Sequence, residues 1–276
     1  VENSRERVET MTAAAMIWRA FQSEWVKMRR RRLWYGSYGA ISGVVLLTTI
    51  VTIAGALRNP GAHGALTLAQ LAQASGLSQG LTQSGVLLGA VAFSIAAFQF
   101  GGEFSHGTLR NLLVRQPRRT VLIAGKCLAV LSFLVGALAV ATVIGICAAF
   151  AMAHLRAVPT EAWTSGLGMS DLGNLLGDLV ISTCGFAVIG MIAGVLLRSS
   201  VIAIAAGLAV LLPFETILTD AVPGTGRWLP AQLLESIAQG GSTIAPFGAA
   251  VVTVSAYLAG AVAISMLVFV RRDVTA

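Results

Sequence analysis

The sequence predicts an all-α polytopic membrane protein with six transmembrane helices in a single transmembrane domain, 1–276. Three observations carry the prediction. Hydrophobic residues make up 56% of the chain and charged residues only 11%, more apolar surface than a water-soluble fold can hide. Six separate apolar runs come close to or exceed the roughly 20 residues that cross a bilayer core as a helix. The basic residues stand at the ends of those runs, not along them.

The elements follow in order. Residues 1–11 are polar and read as a disordered tail. Residues 12–32 form an amphipathic elbow helix. Ile17, Phe21, Trp25 and Met28 recur at spacings of four, four and three, which gives one apolar face. Arg19, Gln22, Ser23, Lys27 and Arg30 take the rest, a division that suits a membrane surface. The run that follows Arg29–Arg32 is too long for the apolar region of a cleaved signal and reads as a retained span. Hydropathy places the spans at 35–57, 81–100, 127–153, 175–197, 201–218 and 247–270. Only "RSS" separates the fourth from the fifth, so those two form a tight hairpin. The link from the fifth to the sixth, 219–246, is long and half apolar. Its stretch 230–238 is predicted as a short helix, lying at the outer interface or dipping back into the membrane.

Charge fixes the orientation. Of the 19 lysines and arginines, only Arg58, Arg156 and Arg227 fall on one side of this layout, and the others on the second. The positive-inside rule then puts both termini in the cytoplasm. The net charge of +7 follows from that same clustering and carries no nucleic-acid motif with it. Cys127, Cys147 and Cys184 sit in apolar runs as packing residues, and His63, His106 and His154 have no ligand spacing. No metal site is predicted.

Catalytic and energy-coupling signatures are missing. There is no G-x-x-x-x-G-K-[ST] phosphate loop. The nearest stretch, "AGKC" at 124–127, lacks the first glycine and reads as a helix entry. No H-E-x-x-H and no G-x-S-x-G occur, so the chain reads as a non-catalytic subunit that binds no cofactor itself. Acids within the spans are few. Asp178 lies near the outer start of the fourth span and Glu215 near the outer end of the fifth. Ionisable residues there mark a possible membrane polar site, although both lie near enough to the interface to be hydrated. Gly85 with Gly89 and Gly190 with Gly194 form two G-x-x-x-G pairs, compatible with close helix packing and with a dimer.

The polar interruption "GGEFSHGTLRNLLVRQP" at 101–117 stands between spans two and three. Leu109, Leu112 and Leu113 share one helical face, and Pro117 ends the helix near Gln116. With "RRTVLIAGK" it makes a cytoplasmic segment, 101–126, built round a short surface helix. "EFSHGTLRNLLVRQPRRTVLIAGK" resembles the signature of ABC-2 type permeases, the membrane subunits of one class of ATP-driven exporters. Glu103, Phe104, Gly107, Thr108, Leu109, Arg110, Pro117, Arg118 and Lys126 carry the match. "EWVKMRRRRLWY" resembles that family's elbow helix through Glu24, Lys27 and Arg29, with Trp25 and Arg30 beside them.

The resemblance implies a coupling helix at Glu103–Arg110 seated on a separate ATPase. It implies two ATP-binding cassette subunits and a second permease chain, identical or related, in a bacterial-type plasma membrane. ATP and magnesium would be bound by the partner. The implied cargo is an amphipathic or hydrophobic compound, such as a drug, a peptide antibiotic or a lipid, exported from the cytoplasm or inner leaflet. A secondary carrier or channel not coupled to ATP is the alternative.

Overall fold

The computed structural model describes residues 13–56, 66–105 and 119–271, and within them the chain is built from helices. We label them α1 (Ala13–Met28), α2 (Arg31–Gly55), α3 (Gly85–Ser105), α4 (Arg119–Leu155), α5 (Gly166–Leu197), α6 (Ser200–Ala221), α7 (Pro230–Ala238) and α8 (Phe247–Arg271). Six of these, α2 to α6 and α8, are long and apolar enough to cross a membrane. The protein is a multi-pass membrane protein of helical class, as its hydropathy predicts. The exposed flanks fit that class. Leu47 and Val51 on α2, Phe214 and Ile217 on α6, and Val252 and Ile264 on α8 are apolar and uncovered.

The helices are longer than the hydropathy windows. α4 begins at Arg119 rather than 127, and α5 begins at Gly166 rather than 175. The extra turns are polar or glycine-rich but still helical. Ser165 explains the second case, because its Oγ accepts from the Gly168 N–H at 3.2 Å and caps the helix start. α6 is interrupted by a π-helical turn, Val210–Phe214, around Pro213. Proline lacks an N–H and its ring crowds the carbonyl four residues back, and a widened turn relieves both.

α3 and α5 form the central pair and pack on each other most extensively. The four glycines of the two G-x-x-x-G pairs are spent there or at its edge. A methyl on Gly194 would lie 2.9 Å from the Ala97 carbonyl oxygen, Gly190 abuts the backbone of Phe93, and Gly89 abuts the Phe186 ring. Gly85 abuts Ala238 of α7, where a methyl would meet the alanine Cβ at 2.8 Å. These glycines are taken up by packing within one chain.

Two cores flank this pair. One is formed with α1, α2 and α4, around Phe133, Leu134, Val45 and Leu88. The other is formed with α6, α7 and α8, around Phe93, Phe186, Leu234 and Ile237.

The bundle has two ends. At one end Gly101 of α3 abuts Ser200 of α6, and Gly125 of α4 abuts Ala20 of α1. Arg19, Lys27, Arg29–Arg32, Lys126 and Arg198 belong to this end, which we call the arginine-rich end. At the other, the fully buried Trp163 donates from Nε1 to the Leu71 carbonyl at 2.7 Å, and Arg156 donates to the Ala56 carbonyl. The helix predicted at 230–238 forms there with those bounds and is buried on almost every side.

Candidate functional site at the arginine-rich end

The predicted apolar face of the elbow helix is displaced in the structure. The deeply buried stripe of α1 is Ala20, Glu24 and Met28, at 1%, 4% and 2% exposure. Ile17, Phe21 and Trp25 are only half-buried on its flank. The cause is Gly125 on α4. A methyl there would stand 2.5 Å from the Ala20 Cβ and 2.8 Å from the Phe21 nitrogen. The two backbones therefore touch, and the helix rotates to put its smallest side chain at the contact. Trp25 then meets the Phe133 ring edge-on at 6.4 Å.

That close approach carries Glu24 inside, one turn on from Ala20. Its Oε1 accepts from the Lys27 ammonium. Its Oε2 lies 3.9 Å from Nζ of Lys126, which is itself only 4% exposed. Nζ of Lys126 also sits 5.0 Å from the centre of the buried Phe100 ring on α3. A buried carboxylate is tolerable only when paired, and a buried ammonium likewise. Here each compensates the other, and the aromatic face adds a weaker attraction.

Lys126 thereby joins three helices, α1, α3 and α4. Gly101, beside Phe100, extends the cluster to the α5–α6 hairpin, since a methyl there would meet the Ser200 nitrogen at 2.7 Å. This is where segment 106–118 leaves α3 and enters α4. Glu103 and Phe104 fall in the last turn of α3. Gly107, Thr108, Leu109 and Arg110 lie outside the described residues, as do the tail 1–11 and the helix predicted between spans two and three. Lys27, Arg29 and Arg30 are exposed, and the chain turns at Arg29–Arg30 between α1 and α2. Among the described residues no three His, Cys, Asp or Glu side chains gather as a metal would require.

The two membrane acids do not form one site. Glu215 follows the π turn of α6 and is 2% exposed, so it is not the hydrated interfacial group that its position near a span end predicts. Its Oε2 accepts from the Ala231 N–H at 2.8 Å and the Gln232 N–H at 3.3 Å. Pro230 opens α7 without an N–H of its own, so Glu215 satisfies the donors that come next. Ser182 of α5 holds the middle of α7, donating to the Leu234 carbonyl at 2.8 Å. Asp178 stands at the opposite end of α7, beside Gly240, and is partly exposed.

Residues 66–275 match a family described as Protein of unknown function (DUF2705). The chain belongs to this family. The DUF2705 region takes in α3 to α8, and with them Lys126, Glu215 and Asp178, whereas α1 and Glu24 precede it. No curated protein matches the sequence. Glu24 and Lys126, far apart in the chain and drawn from separate motifs, are brought together in this DUF2705 protein. Glu24 carries no hydropathy signal for burial, and only its i, i+4 spacing from Ala20 and Met28 could have shown it. The acceptor role of Glu215 had a faint signal in Pro230, which marks a helix start in need of a capping partner.

Proposed function

We propose that this chain is the permease subunit of an ATP-driven exporter, energised by a separate pair of ATP-binding cassette subunits. The ion pair between Glu24 and Lys126 is the observation that carries the reading. It links the elbow-helix motif to the lysine that closes the loop motif, at the helix ends that flank 106–118. In this reading the segment Glu103–Arg110 receives the movement of the ATPase. Lys126 and the first turns of α4 pass it to α1 through Glu24 and to α3 through Phe100. The Gly101–Ser200 contact carries it on to the α5–α6 hairpin. A dense, ion-paired junction transmits displacement because packed interfaces deform little.

The arginine-rich end is then cytoplasmic, and α7 lies toward the outer face. Cargo of amphipathic or hydrophobic character would move along the apolar bundle. A second permease chain, identical or related, would complete the pathway.

The test is reconstitution with whatever ATP-binding cassette subunits co-purify with this chain. Wild type is expected to transport in proportion to ATP hydrolysed, and Lys126→Ala to hydrolyse ATP with little transport. The charge-swapped pair Glu24→Lys with Lys126→Glu should recover part of the coupling. Transport by the purified chain without ATP would instead establish the carrier or channel alternative.

A further inference from the structure

An apolar groove of about 490 Å³ opens sideways between α2, α3 and α6. Gly36 and Ala40 of α2, Val91 and Phe98 of α3, and Ile204 of α6 line it, with Arg32 at one end. From Arg32 to Ala40 the groove runs eight residues of helix, about 12 Å at 1.5 Å per residue. That is close to the depth of one leaflet of a roughly 30 Å hydrocarbon core.

The groove floor is not filled by the chain. Unlike Gly101, Gly125 and Gly190, which neighbours press against, Gly36 has nothing within 4 Å of where a Cβ would stand. Packing within the chain therefore places no demand for glycine there. The missing side chain leaves room for something the chain does not supply.

The two ends differ in polarity. Arg32 is exposed and has no ion-pair partner among the described residues. Trp34 and Tyr35 follow it on α2, both exposed, as at the headgroup boundary of a bilayer. A guanidinium at that level matches a phosphate through paired hydrogen bonds, and the apolar remainder matches a hydrocarbon chain.

We propose that this groove seats one acyl chain of an anionic phospholipid, with the lipid phosphate on Arg32. The inference goes beyond the exporter reading and stands without it.

The test uses the purified full-length chain, without any ATPase, taken from bilayers of equal phosphatidylglycerol and phosphatidylcholine. Retained lipid is counted by native mass spectrometry. Wild type should retain phosphatidylglycerol with about tenfold preference, the effect expected of one charge-assisted contact. Arg32→Gln should bring the preference close to one. Arg227→Gln, whose arginine is exposed and does not line the groove, should keep it.

Gly36→Leu should abolish retention of both lipids while leaving thermal stability near that of wild type. If it fails to fold, Gly36→Ala should lower retention in the same direction. Millimolar inorganic phosphate should not displace the lipid, and displacement would mean that the site reads the phosphate alone. Equal retention of the two lipids by wild type would overturn the proposal, as would a preference that survives Arg32→Gln or is lost equally with Arg227→Gln. A lipid-free dimer that Gly36→Leu converts to monomer would show that a second copy covers the groove instead.

Discussion

Single charged side chains hold distant elements together in this protein, and their removal should be costly. Glu24→Ala takes a carboxylate away from the buried Lys126, and Lys126→Ala takes a buried cation away from Glu24, which keeps the half-exposed Lys27. Each is expected to destabilise the chain by about 3–5 kcal/mol, the cost of breaking a buried pair from one side. The double variant should lose much less than the sum. Thermal unfolding in detergent of the four proteins measures this, and strictly additive losses would show that the two residues do not interact. A second residue-scale test concerns Glu235 on α7, outside the six spans. Burial raises its carboxyl above the ordinary range, and the Gln239 side chain only partly offsets this. A folded-state value above the unfolded one means that the folded form binds more protons. Stability near α7 should therefore fall as pH rises through and above the usual carboxylate range. Glu235→Gln should flatten that slope, as read from unfolding midpoints measured from the usual carboxylate range upward.

At the scale of elements, α7 behaves as a helix clamped at its start and middle. Glu215→Ala strips the acceptor from two buried N–H groups and should cost about 1–2 kcal/mol, in the range of lost helix caps. Glu215→Gln, which keeps a carbonyl oxygen, should cost less. Faster amide exchange confined to 230–238 is the readout; unchanged exchange would mean that the cap does not secure the helix. The α3–α5 seam makes the opposite demand. Gly190→Ala should destabilise by about 1–3 kcal/mol through overpacking, with no change in oligomeric state, because the clash is with Phe93 of the same chain.

These elements also show how far the sequence could be read. The existence of six spans and the bounds of α7 were legible, since apolar length and a proline–leucine pattern report burial directly. The true starts of α4 and α5 were not, because charged and glycine-rich turns carry no hydropathy yet continue a capped helix. The burial of Glu24 was hidden because it depends on Gly125, a residue remote in sequence. So was the use of the glycine pairs within one chain, since spacing does not say which helix approaches.

The described residues form a bundle in which one end holds the buried Glu24–Lys126 pair beside exposed arginines and the other is closed by a buried helix. Two cores flank the α3–α5 pair, and in the proposed exporter movement at α4 and α1 would reach α6 to α8 through that pair. That path is what the exporter proposal asks of the bundle. The central claim is that segment Glu103–Arg110 receives the push. The most direct measurement is ATP hydrolysis and cargo transport by the assembled complex in proteoliposomes, comparing wild type with Glu103→Arg. The account predicts that the variant folds and inserts like wild type but loses most coupled ATPase activity and transport. A variant that hydrolyses ATP and transports like wild type, or a wild-type chain that recruits no ATPase and transports alone, would contradict it.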